Sequence, residues 1–207
     1  TQYRMHPAIS EFPSGRFYDG RIADGIGAAQ RPPPAGFEWP RADFPVAFVH
    51  LAGGRETGEG TSKSNAAEAD AVVAIVARLL HGGLRPDEVG VVTPYAAQVR
   101  LLRRGRPHPS VEVASVDGFQ GREKAAIVIS TVRANAHGAV GFLQDWRRAN
   151  VALTRARRGV VVVGHAPTLA AEARAWGPWL RWVSANGGVV GAPPPPPITL
   201  EDSRALA

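Results

Sequence analysis

One loop of this chain carries the densest set of groups that could bind phosphate. Residues 117–123 (DGFQGRE) combine two glycines with the polar side chains of Gln120 and Glu123. Glycines allow unusual backbone geometry, and free backbone N–H groups can grip phosphate oxygens. The same residues also fit an ordinary turn between two strands, so this loop alone does not decide between the two interpretations.

Two further segments have side chains suited to a nucleotide. Arg155, in residues 154–158 (TRARR), could make bidentate bonds to phosphate oxygens and stabilise charge on a transferred γ-phosphoryl group. Tyr3 and Arg4 place an aromatic ring, which can stack on a base, beside a cation. Each has a simpler interpretation, because arginines at a helix end compensate its dipole and an isolated Tyr-Arg pair is commonly a packed ring beside a surface charge.

Several kinds of catalytic and metal site are excluded by the sequence. Gly58, Gly60 and Lys63 do not form a G-x-x-x-x-G-K-[ST] phosphate loop, because Ser62 stands directly before the lysine. The 6 histidines are scattered without metal-ligand spacing, and the 0 cysteines exclude disulfides and thiolate zinc sites. We therefore expect no metal site and no complete hydrolytic site in this chain.

The elements that must position these residues follow from the apolar pattern. Strands that read as continuous Val/Ile runs, separated by helices, predict an α/β domain with a parallel sheet buried on both faces. Trp176, Trp179 and Trp182 are expected to pack on its body. The predicted strands are 46–51, 89–93, 111–116, 126–132 and 160–164, and the predicted helices are 7–12, 64–80 with Ser64 as N-cap, 96–104, 147–154, 169–175 and 179–185.

Polar segments follow three of the predicted strands. They are residues 93–95, 115–123 and 133–135, and they hold hydroxyls, amides, glycines and charges. Ligands of open parallel sheets bind beyond the carboxyl ends of the strands. We therefore expect these segments to lie together along one edge of the domain.

Composition agrees with a packed hydrophobic core and with a polyanionic partner. Hydrophobic residues make up 44% of the chain, and a formal charge of +6 favours nucleic acid, although the preference for arginine over lysine also fits a coding bias. No apolar run approaches the roughly 20 residues that cross a bilayer, so no membrane partner is expected. The lack of cysteines is compatible with a cytoplasmic or nuclear location.

The chain is expected to hold one domain and a tail. The domain covers residues 1–190, and the Pro-rich residues 191–207 are predicted to be a disordered tail with a polyproline II stretch at 193–197. Because the sequence starts at Thr1 without an initiator methionine, we expect it to be a piece of a longer protein.

Four segments in order resemble motifs of superfamily 1 helicases. Residues 2–7 (QYRMHP), 91–95 (VVTPY), 114–124 (ASVDGFQGREK) and 150–157 (NVALTRAR) resemble motif IV, the strand and loop after it, motif V and motif VI. The chain most resembles the up-frameshift RNA helicases, the regulators of nonsense transcripts, with senataxin-like helicases next. The resemblance implies a RecA-like second motor domain, of the P-loop NTPase type, in an ATP-dependent RNA helicase.

The resemblance also assigns roles to single residues. Tyr3 would stack on adenine, and Arg4 and Arg155 would reach the γ-phosphate of ATP across a cleft between domains. Glu123 would contact the ribose or relay the state of ATP, with Gln120 and Gly121 at the same junction. The residues placed along the backbone of a single strand are Thr93, Pro94, Ser115, Val116 and Asp117.

The family also requires parts that this sequence lacks. The Walker A lysine and the Walker B acidic pair, which hold the phosphates and Mg²⁺, belong to a first motor domain expected before Thr1. The chain alone is expected to bind ATP weakly and not to hydrolyse it. Its implied partners are single-stranded RNA, that first RecA-like domain and RNA-decay factors. A DNA helicase of the same superfamily and a non-catalytic nucleic-acid-binding remnant stay open as alternatives.

Overall fold

Six parallel strands form one sheet. In the computed structural model, which describes residues 1–58, 62–119 and 121–191, the strands are β1 (Val46–His50), β2 (Val89–Val92), β3 (Glu112–Ala114), β4 (Lys124–Ser130), β5 (Ala156–Gly164) and β6 (Val189–Val190). Their order across the sheet is β3-β2-β4-β5-β1-β6, and every adjacent pair is parallel. The predicted α/β, RecA-like class is confirmed.

Helices cover both faces of the sheet. They are α1 (Pro7–Phe17), α2 (Ala66–His81), α3 (Ala96–Gly105), α4 (Trp146–Leu153), α5 (Ala166–Ala170) and α6 (Trp176–Ala185). In β4, Ile127 and Ile129 belong to a core with α1, α4 and α6, whereas Ala126 and Val128 belong to a core with α2 and α3. Because alternate residues enter two cores, every position in the middle of the strand must be apolar, and this explains the continuous Val/Ile runs.

Two predicted helix starts and ends are wrong by a few residues. The helix predicted at 7–12 continues through Pro13 and ends at Phe17, where the N–H groups of Tyr18 and Gly20 donate to the carbonyl of Ser14 (3.1 and 2.9 Å). The N-cap of α2 is Asn65 rather than Ser64, because the Asn65 side chain accepts the N–H of Glu68 (3.2 Å).

Polar side chains also shift elements near the carboxyl half of the chain. The helix predicted at 169–175 is wrong, since α5 ends at Ala170 and the Glu172 carboxylate accepts N–H groups at the start of α6, including that of Trp176 (2.7 Å). The strand predicted at 126–132 ends at Ser130, because the Val132 N–H donates to the Glu68 carboxylate (2.7 Å) instead of to a neighbouring strand. Strand β3 is shorter than predicted, β5 begins at Ala156 rather than Val160, and β6 was not predicted.

The body buries the tryptophans as expected. Trp176 and Trp179 are fully buried in the core that α1, α4 and α6 form with the sheet, and Trp182 is half-buried against that core. The predicted tail, residues 191–207, lies outside the described residues except for Gly191 at its start. Across the described ranges, no helix combines the length and apolar character needed to cross a membrane.

The outer strand β3 has side chains bonded along its free side. Arg103 Nε donates to the carbonyl of Val113 (3.0 Å), and Arg106 Nη1 donates to the carbonyl of Val111 (3.4 Å). Both arginines come from the end of α3 and the residue that follows it. Acceptors that no neighbouring strand uses are therefore occupied by guanidinium groups.

Two glycines offer a matched test of the packing of α2. Gly36 has φ +90°, and a Cβ there would lie 2.0 Å from the Arg78 carbonyl of α2, whereas Gly15 in α1 has open space around it. We expect Gly36→Ala to lower the free energy of unfolding by ~1–3 kcal/mol and Gly15→Ala to raise it by ~0.5–1 kcal/mol. Urea denaturation of both variants measures this, and changes of the same sign would contradict the described packing.

Candidate nucleotide and nucleic-acid sites

Three predicted side chains meet at the amino ends of β4 and β5. Glu123 directly precedes β4 and Arg155 directly precedes β5, and the Lys124 N–H donates to the Arg155 carbonyl (3.0 Å). Arg4 Nε donates to the Glu123 carboxylate, and Arg4 Nη1 donates to the Thr154 carbonyl (3.3 Å). We call these three residues, together with Tyr3 next to Arg4 in the chain, the amino-edge cluster.

The backbone beside Arg4 is fixed by Gln2 and by β5. Gln2 Oε1 accepts the N–H groups of Arg4 (2.9 Å) and Met5 (2.8 Å). The His6 N–H donates to the carbonyl of Arg157 in β5 (2.8 Å), and the Met5 side chain is buried in the core. The segment that carries Tyr3 and Arg4 is thus attached to the sheet although it belongs to no helix or named strand.

Tyr3 presents an exposed ring, as stacking on a base requires. Its exposed fraction is 67%, and one edge of the ring lies so close to Gly25 that a Cβ there would be 2.2 Å from it. Arg31 donates to the carbonyls of Tyr3 (3.3 Å) and Arg4 (3.0 Å). Sequence reasoning missed Gly25 and Arg31, because both lie in a loop without apolar periodicity.

The amino-edge cluster carries an excess of positive charge. Burial lowers the pKa of the half-buried Arg155, the nearby charge of Arg4 lowers it further, and Glu123 acts in the opposite direction. Guanidinium groups stay charged at any working pH. Two cations beside one carboxylate form an environment that favours a further anion such as a phosphate.

Residues 115–123 connect the two edges of the sheet. The segment leaves the carboxyl end of β3, makes a short 3-10 turn at Asp117–Phe119 and reaches the amino end of β4 at Glu123. Phe119 is buried over β2, where Gly90 leaves room for its ring. Gly121 has φ +78°, a conformation that favours glycine.

The expectation that residues 115–123 lie along one edge is wrong. Because β4 runs parallel to β3, the chain must return to the amino edge before β4 can begin, and Glu123 lies there. Gln120, a predicted site residue in this segment, lies outside the described residues.

The residues predicted to contact a single strand lie at the carboxyl edge at two depths. Thr93 and Val116 are buried, and the Thr93 hydroxyl has no hydrogen-bond partner within the described part of the chain. Pro94 and Ser115 are partly exposed, and Asp117 is exposed. The first two residues therefore support the surface that the other three form.

Aromatic and charged side chains continue this edge. Arg133 Nη1 donates to the Tyr95 hydroxyl (3.3 Å), and the Tyr95 ring lies 5.6 Å from that of Phe142. Phe142 is 39% exposed, and the Arg148 guanidinium lies 5.7 Å from its ring centre. Arg148 Nη2 also pairs with Asp117 (3.0 Å). Sequence reasoning missed Phe142 and Arg148. Nothing in the sequence pattern indicated Phe142, and the only indication for Arg148 was its place in a pair of arginines, residues 147–148, before motif VI.

Glu56 attaches the segment beside the Thr57–Ser64 bridge to the same edge. Its carboxylate accepts from Arg133 Nε (2.8 Å), the Ala134 N–H (2.9 Å) and Asn135 Nδ2 (3.0 Å). Burial opposes ionisation, but the hydrogen bonds lower the pKa of Glu56 below its usual range. Within the described residues, no group of three or more His, Asp or Glu side chains could hold a metal ion.

A family model described as AAA domain matches residues 1–167. The chain is 46% identical over 182 residues to the putative regulator of nonsense transcripts 1 of Takifugu rubripes, and 44% identical over 181 residues to the ATP-dependent helicase NAM7 of Saccharomyces cerevisiae. The chain belongs to this AAA-domain family, as a superfamily 1 helicase domain of the up-frameshift type. These matches cover 83% and 82% of the chain, but it spans only 17% and 19% of the two relatives.

Behind the carboxyl edge, the helicase domain buries a carboxyl group that sequence reasoning did not single out. Glu68, in the first turn of α2, is 0% exposed. Its Oε2 accepts from the Ser130 hydroxyl (2.7 Å) and the Val132 N–H (2.7 Å). Burial raises the pKa of Glu68 to about 7, and the hydrogen bonds from Ser130 and Val132 oppose that rise.

This raised pKa predicts how stability changes with pH. Because the folded state binds the proton more tightly than the unfolded chain, the stability that Glu68 contributes is fully present below about pH 4.3 and is lost as the pH rises through about 7. We expect the free energy of unfolding of the wild type, relative to Glu68→Gln, to fall by at least ~1 kcal/mol between about pH 5 and 8. Urea denaturation at several pH values measures this.

The exposed Glu38 provides the matched control. Glu38→Gln should show no such pH-dependent difference from the wild type. A constant difference between wild type and Glu68→Gln across the same pH range would show that Glu68 does not titrate there.

Proposed function

We propose that this domain is the C-terminal motor half of an ATP-dependent RNA helicase. An upstream domain with Walker A and Walker B motifs would hold ATP and Mg²⁺, and this chain would complete the site. The observation that supports this most is the amino-edge cluster, which joins Arg4, Glu123 and Arg155 from three separate segments. An ion pair that only stabilises the fold would need one arginine to balance Glu123. The cluster has two arginines, and the second is available for an anionic ligand.

The proposed nucleotide contacts follow from exposure and charge. The Tyr3 ring is free to stack on adenine. Arg4 and Arg155 would contact the γ-phosphate, and Arg155 would stabilise its charge during transfer, as arginine fingers do. Because Glu123 already pairs with Arg4, a triphosphate would compete for that arginine and release or shift the carboxylate. Gln120 and Gly121 belong to this proposal by resemblance to motif V.

Residues 115–123 would couple ATP to the nucleic acid. One end of the segment holds Asp117, paired with Arg148 at the carboxyl edge, and the other holds Glu123, paired with Arg4. Pro94, Ser115 and Asp117 would contact the backbone of a single strand, with Thr93 and Val116 beneath them. A change at the amino edge would thus alter the grip at the carboxyl edge.

The relatives suggest the setting of this activity. Those described above are named a regulator of nonsense transcripts and an ATP-dependent helicase. We extend this to the present chain, with RNA-decay factors as partners and the cytoplasm as its location.

Removing Arg155 tests the nucleotide site. In the full-length protein with its upstream motor domain, Arg155→Ala should lower the ATPase rate by ~10³-fold or more, because the charge on the transferred phosphoryl group loses its stabilisation. Steady-state ATPase assays with saturating RNA measure this.

Two controls bound the Arg155 experiment. Arg181 is exposed on α6 and, within the described residues, forms no hydrogen bond or ion pair with the amino-edge cluster, so Arg181→Ala should keep the wild-type rate. The 207-residue chain alone should show no turnover. A near-wild-type rate for Arg155→Ala would overturn its proposed role.

The nature of the strand is tested by comparing RNA with DNA. The alternative is a DNA helicase of the same superfamily, since contacts to a strand backbone read charge and stacking in either nucleic acid. We expect single-stranded RNA to stimulate the ATPase more than DNA of the same sequence, at matched length and salt. Equal or greater stimulation by DNA would favour the alternative.

A further inference from the structure

Strand β4 ends in a strained turn at the carboxyl edge. Val132 has φ +69°, a left-handed conformation that β-branched residues rarely adopt. The Arg133 N–H donates to the Thr131 carbonyl (2.8 Å), so Val132 is the central residue of a γ-turn. Strain of this kind persists only where the surrounding structure enforces it.

Two side chains at the start of α2 enforce this turn. Glu68 Oε2 accepts the Val132 N–H (2.7 Å), and Asn65 Nδ2 donates to the Val132 carbonyl (3.1 Å). Both backbone polar groups of Val132 are therefore bonded to buried side chains of one helix start.

Gln98 of α3 fixes those side chains in turn. Its Oε1 accepts the Asn65 N–H (2.9 Å), and its Nε2 donates to the Asn65 carbonyl (3.0 Å) and to Ser130 Oγ (3.0 Å). Gln98 and Ser130 are fully buried. The turn is thus attached to both helices of this face rather than to solvent-exposed groups.

The turn sets the position of the carboxyl-edge surface. It reverses the chain so that Arg133 reaches the Tyr95 hydroxyl and the Glu56 carboxylate. Tyr95 contacts Phe142, whose exposed ring lies beside Arg148. A continuous series of contacts therefore runs from Val132 to the surface that we propose for the strand.

Stability alone does not account for this arrangement. Burying the Glu68 carboxyl group costs desolvation energy, and the left-handed conformation of Val132 costs strain energy. Strained backbone held by a costly buried group is typical of functional sites.

We propose that Glu68, together with Asn65, is a positioning residue for nucleic-acid binding, which it supports by holding Val132 in the γ-turn. The proposal rests on the proposed function, because it assumes that the carboxyl edge contacts a strand. Glu68 acts as a hydrogen-bond acceptor here, so a neutral acceptor of the same shape would serve equally.

The test compares variants of the full-length protein by affinity for single-stranded RNA and by ATPase without RNA. Glu68→Ala removes the acceptor, so we expect affinity to fall on the order of tenfold while the RNA-independent ATPase is retained. Glu68→Gln keeps an acceptor and should bind within about twofold of the wild type. Urea denaturation of each variant measures stability in parallel.

Two further variants separate positioning from folding. Asn65→Ser keeps an N-cap for α2 but cannot reach the Val132 carbonyl, so affinity should fall about threefold even if Glu68→Ala fails to fold. Val132→Gly combined with Glu68→Ala should restore part of the affinity, because glycine adopts positive φ without strain.

The outcomes distinguish this proposal from the proposed function. Wild-type affinity in folded Glu68→Ala, or in Asn65→Ser if Glu68→Ala does not fold, would overturn the positioning role alone. A wild-type protein that binds neither single-stranded RNA nor DNA would overturn the proposed function, and the positioning role with it.

Discussion

The common direction of the six strands is the constraint on which the rest of the structure depends. In a parallel sheet, every strand begins at the amino edge and ends at the carboxyl edge. Residues that precede strands are therefore separated from residues that follow strands by the length of the strands. Arg155 and Glu123 precede strands, whereas Pro94 and Ser115 follow them. The sheet thereby places the residues proposed to bind a nucleotide and those proposed to bind a strand at opposite edges. The segment between β3 and β4, which carries motif V, connects the two edges.

Much of the fold could be predicted, because burial on both faces demands apolar residues throughout the middle of the central strands. The central strands show this as Val/Ile runs, and helix α2 shows its apolar face. The errors occur where a distant polar side chain decides a boundary. Glu68 ends β4 by bonding Val132, and Glu172 separates α5 from α6. No local sequence pattern shows which carboxyl group will accept a hydrogen bond from which backbone N–H. These element boundaries therefore could not be predicted from the sequence.

The candidate sites divide in the same way. Arg155 and Glu123 could be chosen by residue type and by order along the chain, but their meeting with Arg4 depends on how residues 1–6 attach to β5. Gly25 and Arg31 had no signal, since a loop without periodicity gives no indication of what it will contact. Thr93 was chosen by resemblance, and only the packing shows that it lies beneath the surface.

The arginines along β3 have a consequence for how this domain behaves among other proteins. An unpaired strand edge can recruit a strand from another molecule and begin aggregation. At one side of the sheet, Arg103 and Arg106 occupy carbonyls at or beside β3, and at the other side β6 is only 2 residues long. In the described residues, neither border therefore offers a long row of free backbone groups. The ends of the strands can therefore be open to the proposed ligands while the sides of the sheet, in the described residues, give little backbone for another copy of the domain to pair with.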